Sequence, residues 1–293
     1  MKKLFIWIGV AILFLLAGLA FAVAQGERLL MNRAAAQVTQ QDLASLEALL
    51  APAMIIRQPD QPTEGPQPVI VQLHGCSGLT LKQQDRWAAL AAEEGYTAII
   101  INSNGPRGFD RDRSLAEVCL GKALLGQERA ADVLAALSHL SKTVEIDPNR
   151  IFLAGWSHGA WTAMDFLTMD MDELRPAGLS DQDLTMPKIS GAILFYPHCG
   201  VGSRTRLDGW AQSPDVLALI ADEDSIVDHK ACLKELDKLD EAGVSIDLQI
   251  YAGADHAFDY RYLPPENAHW YNEAYAEDAE RRYRDFLIGQ LAQ

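Results

Sequence analysis

The pentapeptide Gly155-Trp156-Ser157-His158-Gly159 constrains this chain more than any other stretch. It follows the apolar run Ile151-Phe152-Leu153-Ala154 and precedes residues that can start a helix. Strand, tight turn and helix in that order, with a serine at the apex, make the setting of a nucleophile elbow. Such a turn is strained, and a side chain at either glycine would collide with the neighbouring strand or helix while Ser157 is pushed into the open. G-x-S-x-G is short enough to arise by chance, so its meaning rests on its surroundings.

Those surroundings alternate. Apolar strands are expected at Val69–Leu73, Ala98–Ile101, Ile151–Ala154, Gly191–Tyr196, Asp215–Ile220 and Ile246–Tyr251. Helical segments are expected at Gln83–Glu94, Glu128–Val144, Ala160–Met169, Lys230–Glu241 and Asn272–Leu291. This pattern predicts an α/β fold with a mostly parallel central sheet and helices on both faces. Active sites of such sheets lie at the carboxyl ends of the strands. Ahead of this core, 27–50 reads as one alanine-rich amphipathic helix, and an early strand is expected near Ala53–Arg57. The proline-rich stretch 58–68 reads as a surface turn.

Lys2 and Lys3 precede an uninterrupted apolar run over 4–24, which is a targeting segment. Ala22-Val23-Ala24 offers a cleavage site, yet about 20 apolar residues also span a bilayer, so a signal peptide and a retained membrane anchor both fit. Either way the positive end stays in the cytoplasm and the rest is exported, to the periplasm or the extracellular space. The expected organisation is 1–24 leader, 25–67 spacer with the early strand, and 68–293 one α/β domain. The net charge of −15, without any later basic block, argues against nucleic acid as a partner and reads as solubility. Cys76, Cys119, Cys199 and Cys232 all lie in the exported part. An even count suggests two disulfides in any of three pairings, four buried thiols being the alternative. The absence of C-x-x-C argues against a zinc site.

Chemistry-bearing residues recur at the expected strand ends. Leu73-His74-Gly75-Cys76-Ser77-Gly78 follows the first strong strand, where a backbone N–H can face a reacting carbonyl; the N–H groups of Cys76 and His158 are the candidate oxyanion donors. His74 itself reads as a structural hydrogen-bonding residue. Of seven histidines, only His256 follows the terminal strand, in Gly253-Ala254-Asp255-His256, where an imidazole can take the serine proton. A carboxylate must orient it, and Ala221-Asp222-Glu223-Asp224 offers Asp224, with Asp222 as competitor. The order Ser157, Asp224, His256 is that of the α/β-hydrolase triad.

From about Pro68 to the carboxyl terminus the chain resembles the dienelactone hydrolase family of α/β-hydrolases. The resemblance rests on residues 73–79, Pro106-Arg107-Gly108, the elbow pentapeptide, Tyr196-Pro197, Asp224 and Gly253–Asp259. It implies the acid role for Asp224, the oxyanion roles for the Cys76 and His158 amides, and the pairings Cys76–Cys119 and Cys199–Cys232. The founding enzymes carry a cysteine nucleophile where this chain has Ser157, a weaker nucleophile that needs a base, so the family name does not assign a substrate.

The expectation is an exported serine hydrolase of small esters or similar acyl compounds, needing no metal or organic cofactor. A serine peptidase of the same fold and a non-catalytic envelope binding protein are the alternatives; no propeller or other gating domain precedes residue 68, which disfavours the peptidase. Arg107 could pair with a substrate carboxylate or brace its own loop. Residues 171–189 suggest a modest cap over a fairly open site. Trp156, with Trp161, Phe195 and Tyr196, could line an acyl pocket or pack the core.

Overall fold

The computed structural model describes residues 2–59, 65–181 and 183–292, with the side chains of 2–14 and 20 outside the description. It divides into two compact units at Val38 and Thr39. The first is helix α1, Lys2–Gln37, which runs without a break through the expected cleavage site. The expected leader over 1–24 falls in part on side chains outside the description; among the described residues no helix is long and apolar enough to cross a membrane. The single helix expected over 27–50 is two: α1 ends at Gln37 and α2 spans Leu43–Leu50. Asp42 starts α2, its carboxylate accepting the Ser45 N–H at 2.6 Å, as N-cap residues do. Nor is α2 a peripheral spacer, because Leu46, Glu47 and Leu50 are buried.

The second unit holds the sheet. In chain order come β1 Ile55–Arg57, β2 Gln67–Leu73, α3 Leu81–Glu93, β3 Thr97–Ile101, α4 Arg111–Arg113 and α5 Gly126–Leu140. Then follow β4 Ile146–Trp156, α6 His158–Thr168, β5 Gly191–Phe195, α7 Arg204–Asp208, β6 Asp215–Ala221, α8 His229–Glu241, β7 Ile246–Tyr251 and α9 Glu273–Leu291. The seven strands lie in the order β1-β3-β2-β4-β5-β6-β7, parallel except for β1, which pairs antiparallel with β3. This is the α/β architecture expected from the alternation. Part of the stretch 58–68, residues 60–64, lies outside the described residues.

Strand periodicity sorts side chains to two cores. Val69, Val71 and Leu73 of β2, Ile151 and Leu153 of β4, and Ala192 and Leu194 of β5 pack with α2, α5, α6 and α8. The intervening Ile70, Phe152, Ala154, Trp156, Ile193 and Phe195 pack with α3 and α9. Both faces are covered, so these strands carry no polar alternation, and each fully buried aliphatic or aromatic side chain contributes about 2 kcal/mol.

The chain leaves β2 for β3 on one side and returns to β4 on the other, so the switch point of the sheet lies between the carboxyl ends of β2 and β4. Here backbones touch. A Cβ on Gly159 would lie 1.9 Å from the Leu73 carbonyl oxygen, and one on Gly155 would lie 2.4 Å from the Gly159 carbonyl. Gly159→Ala therefore cannot be absorbed by rotating a side chain. We expect it to cost at least ~3 kcal/mol or to yield no soluble protein; a urea unfolding midpoint equal to wild type would refute this packing.

Candidate active site

Ser157 stands between β4 and α6 at φ 54°, ψ −115°, a conformation that costs a non-glycine residue about 1–3 kcal/mol. Its N–H donates to the Phe195 carbonyl at 2.9 Å, and its own carbonyl accepts the Trp161 N–H. The Ser157 Oγ lies 2.9 Å from His256 Nε2, and His256 Nδ1 lies 2.7 Å from Asp224 Oδ2. Asp224 Oδ1 accepts the N–H groups of Ile226 and Val227, both at 2.9 Å, which aims Oδ2 at the imidazole. Asp222 is turned elsewhere and accepts the Gly253 N–H. Both the Asp224 and His256 side chains are buried, at 1% and 8% exposure. The structure thus brings Ser157 and Asp224 each within hydrogen-bond reach of His256, while Asp222 bonds to Gly253.

The loop holding His256 is braced on every side. Asp255 Oδ1 accepts the N–H groups of His256 and Ser225, cross-linking the loops after β7 and β6. Tyr196, at φ 36°, packs its ring 4.6 Å from the imidazole, and Trp270 meets the imidazole edge-on at 6.2 Å. Behind Tyr196 lies Asp259, fully buried and accepting from Tyr196 Oη at 2.6 Å, Gln83 Nε2 at 3.0 Å and Trp156 Nε1 at 3.2 Å.

The loop after β2 approaches from the other side: a Cβ on Gly75 would sit 3.7 Å from the Ser157 Cβ. Buried His74 donates from Nδ1 to the Gly75 carbonyl and accepts the Ser103 N–H at Nε2, so it is structural, as expected. Asn104 Nδ2 donates to the Cys76 carbonyl, and Cys76 is bonded to Cys119. Cys199 is bonded to Cys232, so both disulfides have the pairing that the family resemblance implies. Among the described residues neither the Cys76 N–H nor the His158 N–H donates within the protein. His158 opens α6, where the helix dipole favours negative charge. No group of three or more metal-ligating side chains is arranged to hold a metal among the described residues.

Of the two readings left open for each residue, Arg107 takes the loop-bracing one and Trp156 the core-packing one. Arg107 is not free for a substrate carboxylate: Nη2 and Nη1 bind Asp132 at 2.6 and 3.1 Å, and Nη1 also donates to the Ser103 carbonyl. Trp156 does not line an acyl pocket; its position on β4 points it to the α3 and α9 side, where it stacks on Phe195. In the described part of 171–189, where a modest cap is expected, Ala177, Gly178, Ser180 and Asp181 bond to residues 127, 41 and 43. Sequence reasoning missed the Tyr196–Asp259 pair and the buried Arg129. Asp259 stood inside the quoted His256 motif; Arg129, in a helix of ordinary composition, gave no signal.

Burial moves the protonation of this region in opposite directions. It lowers His74 to about 3, with Arg129 adding to the effect, and lowers His158 well below the ordinary imidazole value. It raises Asp259 to about 6 against the pull of its three donors, and raises Asp165 to about 7. The histidines, depressed when folded, contribute stability that is present above pH 6.5 and lost as the pH falls toward 3. The aspartates, raised when folded, contribute stability that is present below pH 3.8 and lost as the pH rises through 6 to 7. The two opposing windows overlap between about pH 4 and 6.5 and leave only the histidine loss below 4. Urea midpoints should therefore change little from pH 6.5 to 5 and fall steeply below pH 4. Asp259→Asn should make stability rise with pH between 4 and 6 by ~1 kcal/mol per unit more than in wild type.

Residues 180–290 match the family model of the dienelactone hydrolase family, and residues 83–179 match that of the prolyl oligopeptidase family. Among curated proteins, the chain is similar to a dipeptidyl-aminopeptidase B of Metarhizium robertsii, 24% identical over 58% of this chain and 20% of the relative. It is similar also to one of Emericella nidulans, 25% identical over 69% of this chain and 23% of the relative. The chain thus spans about a fifth of the length of these relatives. Among solved structures, a dienelactone hydrolase-like promiscuous phosphotriesterase from metagenomic libraries superposes with TM-score 0.60 at 17% identity, over 81% of this chain and 99% of the other. A thermophilic esterase from Thermogutta terrifontis, bound to propionate, gives 0.58 at 16% over 80% and 88%. Est1E from Butyrivibrio proteoclasticus, bound to ferulic acid, gives 0.54 at 15% over 82% and 95%. At these identities the structural likeness is one of fold. The chain therefore has the α/β-hydrolase fold, with residues 83–179 matching the prolyl oligopeptidase family model and residues 180–290 that of the dienelactone hydrolase family.

Proposed function

We propose that this chain is a serine hydrolase that cleaves carboxylic esters or similar acyl compounds through an acyl-enzyme. The observation that carries the reading is the hydrogen-bonded run from Ser157 Oγ through His256 to Asp224 at 2.9 and 2.7 Å. In the first half-reaction Oγ attacks the acyl carbon as its proton passes to His256 Nε2. Asp224 holds the ring by Nδ1 and stabilises the imidazolium. The tetrahedral oxyanion accepts from the N–H groups of Cys76 and His158. Collapse expels the alcohol, protonated by His256, and leaves the acyl group on Oγ. Water, deprotonated by the same imidazole, then attacks the ester so formed and releases the acid and Ser157. The two disulfides and the apolar amino-terminal run support action outside the cytoplasm.

The match of 83–179 to the prolyl oligopeptidase family supports a second reading, a serine peptidase, which uses the same groups on an amide. A fluorophosphonate probe should label wild type but not Ser157→Ala; equal absence of labelling would leave a non-catalytic binding protein and end the hydrolase reading. Asp224→Asn should lower kcat by about 10³-fold or more. Turnover of p-nitrophenyl butyrate and of dipeptide p-nitroanilides separates the two substrate classes. We expect the ester to give the higher kcat/KM by at least ~10²-fold, and the reverse ranking would transfer the assignment to peptidase.

A further inference from the structure

The two N–H groups assigned to the oxyanion belong to separate elements, Cys76 to the loop after β2 and His158 to the first turn of α6. A tetrahedral oxyanion needs both donors within about 3 Å of one point, so the spacing between these elements must be held. A side chain from a third element reaches both. Arg129, in the first turn of α5, is fully buried, and its Nη1 lies 2.8 Å from His158 Nδ1 and 3.1 Å from the His74 carbonyl oxygen.

This contact is a costly one to keep. Among the described residues Arg129 Nε and Nη2 have no hydrogen-bond partner, nor has His158 Nε2. The nearby carboxylate of Asp132 is engaged by Arg107, not by Arg129. A buried guanidinium left so poorly paired opposes folding, and a methionine or leucine would fill the same space without that penalty. What only the guanidinium supplies is the bridge. Burial lowers Arg129 only to about 10, so the group stays a cation at neutral pH and donates to a neutral His158 imidazole.

We propose that Arg129 is a positioning residue for the oxyanion site: its Nη1 ties the His74–Cys76 loop to the His158 turn and so fixes the separation of the two N–H donors. The inference rests on the acyl-hydrolase reading. A residue that merely braced the core would, when replaced, change stability without separating kcat from KM. A residue that sets donor spacing acts on the tetrahedral state alone.

The test compares wild type, Arg129→Met, Arg129→Lys and His158→Leu on p-nitrophenyl butyrate, with n-butylboronic acid as a probe that Ser157 converts to a tetrahedral adduct. In Arg129→Met kcat should fall by about 10- to 100-fold with KM within about twofold, and the boronate Ki should rise by a similar factor. Arg129→Lys, which keeps a donor, should recover part of both. If Arg129→Met does not fold, His158→Leu reads the same bridge from its other end while keeping the backbone N–H; it should lose about tenfold in kcat and in boronate affinity. A folded Arg129→Met or His158→Leu with kcat and boronate Ki within twofold of wild type overturns the proposal. Wild type inert to both ester and fluorophosphonate overturns the hydrolase reading instead, so the two failures are distinct.

Discussion

The site depends on one backbone contact, the seating of α6 against the carboxyl end of β2. Gly159 fits there because it has no Cβ, and the same closeness recurs between Gly155 and the first turn of α6. With helix and strand pressed together at both glycines, the single residue between Trp156 and His158 has no ordinary conformation left, and Ser157 takes φ 54°. The strain is held by the Ser157 N–H bond to β5 and by the Trp161 N–H bond to the Ser157 carbonyl. A half-buried, fixed hydroxyl and a helix N-terminus beside it are both consequences of that contact.

The loops around the elbow are less constrained by the sheet and are held by other means. Cys76–Cys119 and Cys199–Cys232 join residues 43 and 33 apart in sequence, and each removes on the order of 4 kcal/mol of chain entropy from the unfolded state. The first of them anchors the loop that carries one proposed oxyanion donor. Arg107 and Asp132 brace the next loop, an ion pair in which desolvation offsets much of the attraction. Its contribution is therefore better understood as geometry than as stability: it fixes the turn after β3, from which Ser103 and Asn104 reach back to His74 and to the Cys76 carbonyl.

What could be read from the sequence was whatever depends on local periodicity or on chain order. Apolar runs located six of the seven strands, and β1 was foreseen two residues longer than it is. Ser157, Asp224 and His256 stood out because they follow β4, β6 and β7 in turn, the chain order expected of a nucleophile, an acid and a base in such a sheet. The break at 38–42 escaped because alanine-rich composition promotes helix on both sides, while the interruption comes from the Asp42 cap and from pairing of Gln41 with Gly178 and Ser180, distant in sequence. Arg107 was ambiguous for the same reason: its guanidinium could not be assigned without knowing that Asp132 lies opposite. Arg129 was invisible, since nothing along α5 distinguishes an arginine facing the elbow from one facing solvent.

Two aspartates near His256 show how environment divides identical side chains. Asp224 is held by two backbone N–H groups of its own loop and presents its second oxygen to Nδ1. Asp259 is held by three side chains, from α3, β4 and the residue after β5, and burial outweighs them, so its carboxyl is pushed up to about 6. The imidazole therefore meets one carboxylate directly and is shielded from the other by the Tyr196 ring, whose hydroxyl is the group bound to Asp259. In the proposed reaction, a second carboxylate in direct contact with the imidazole would oppose proton return to the leaving group. The Tyr196 ring keeps the packing of a large buried side chain against the imidazole while denying it that second charge.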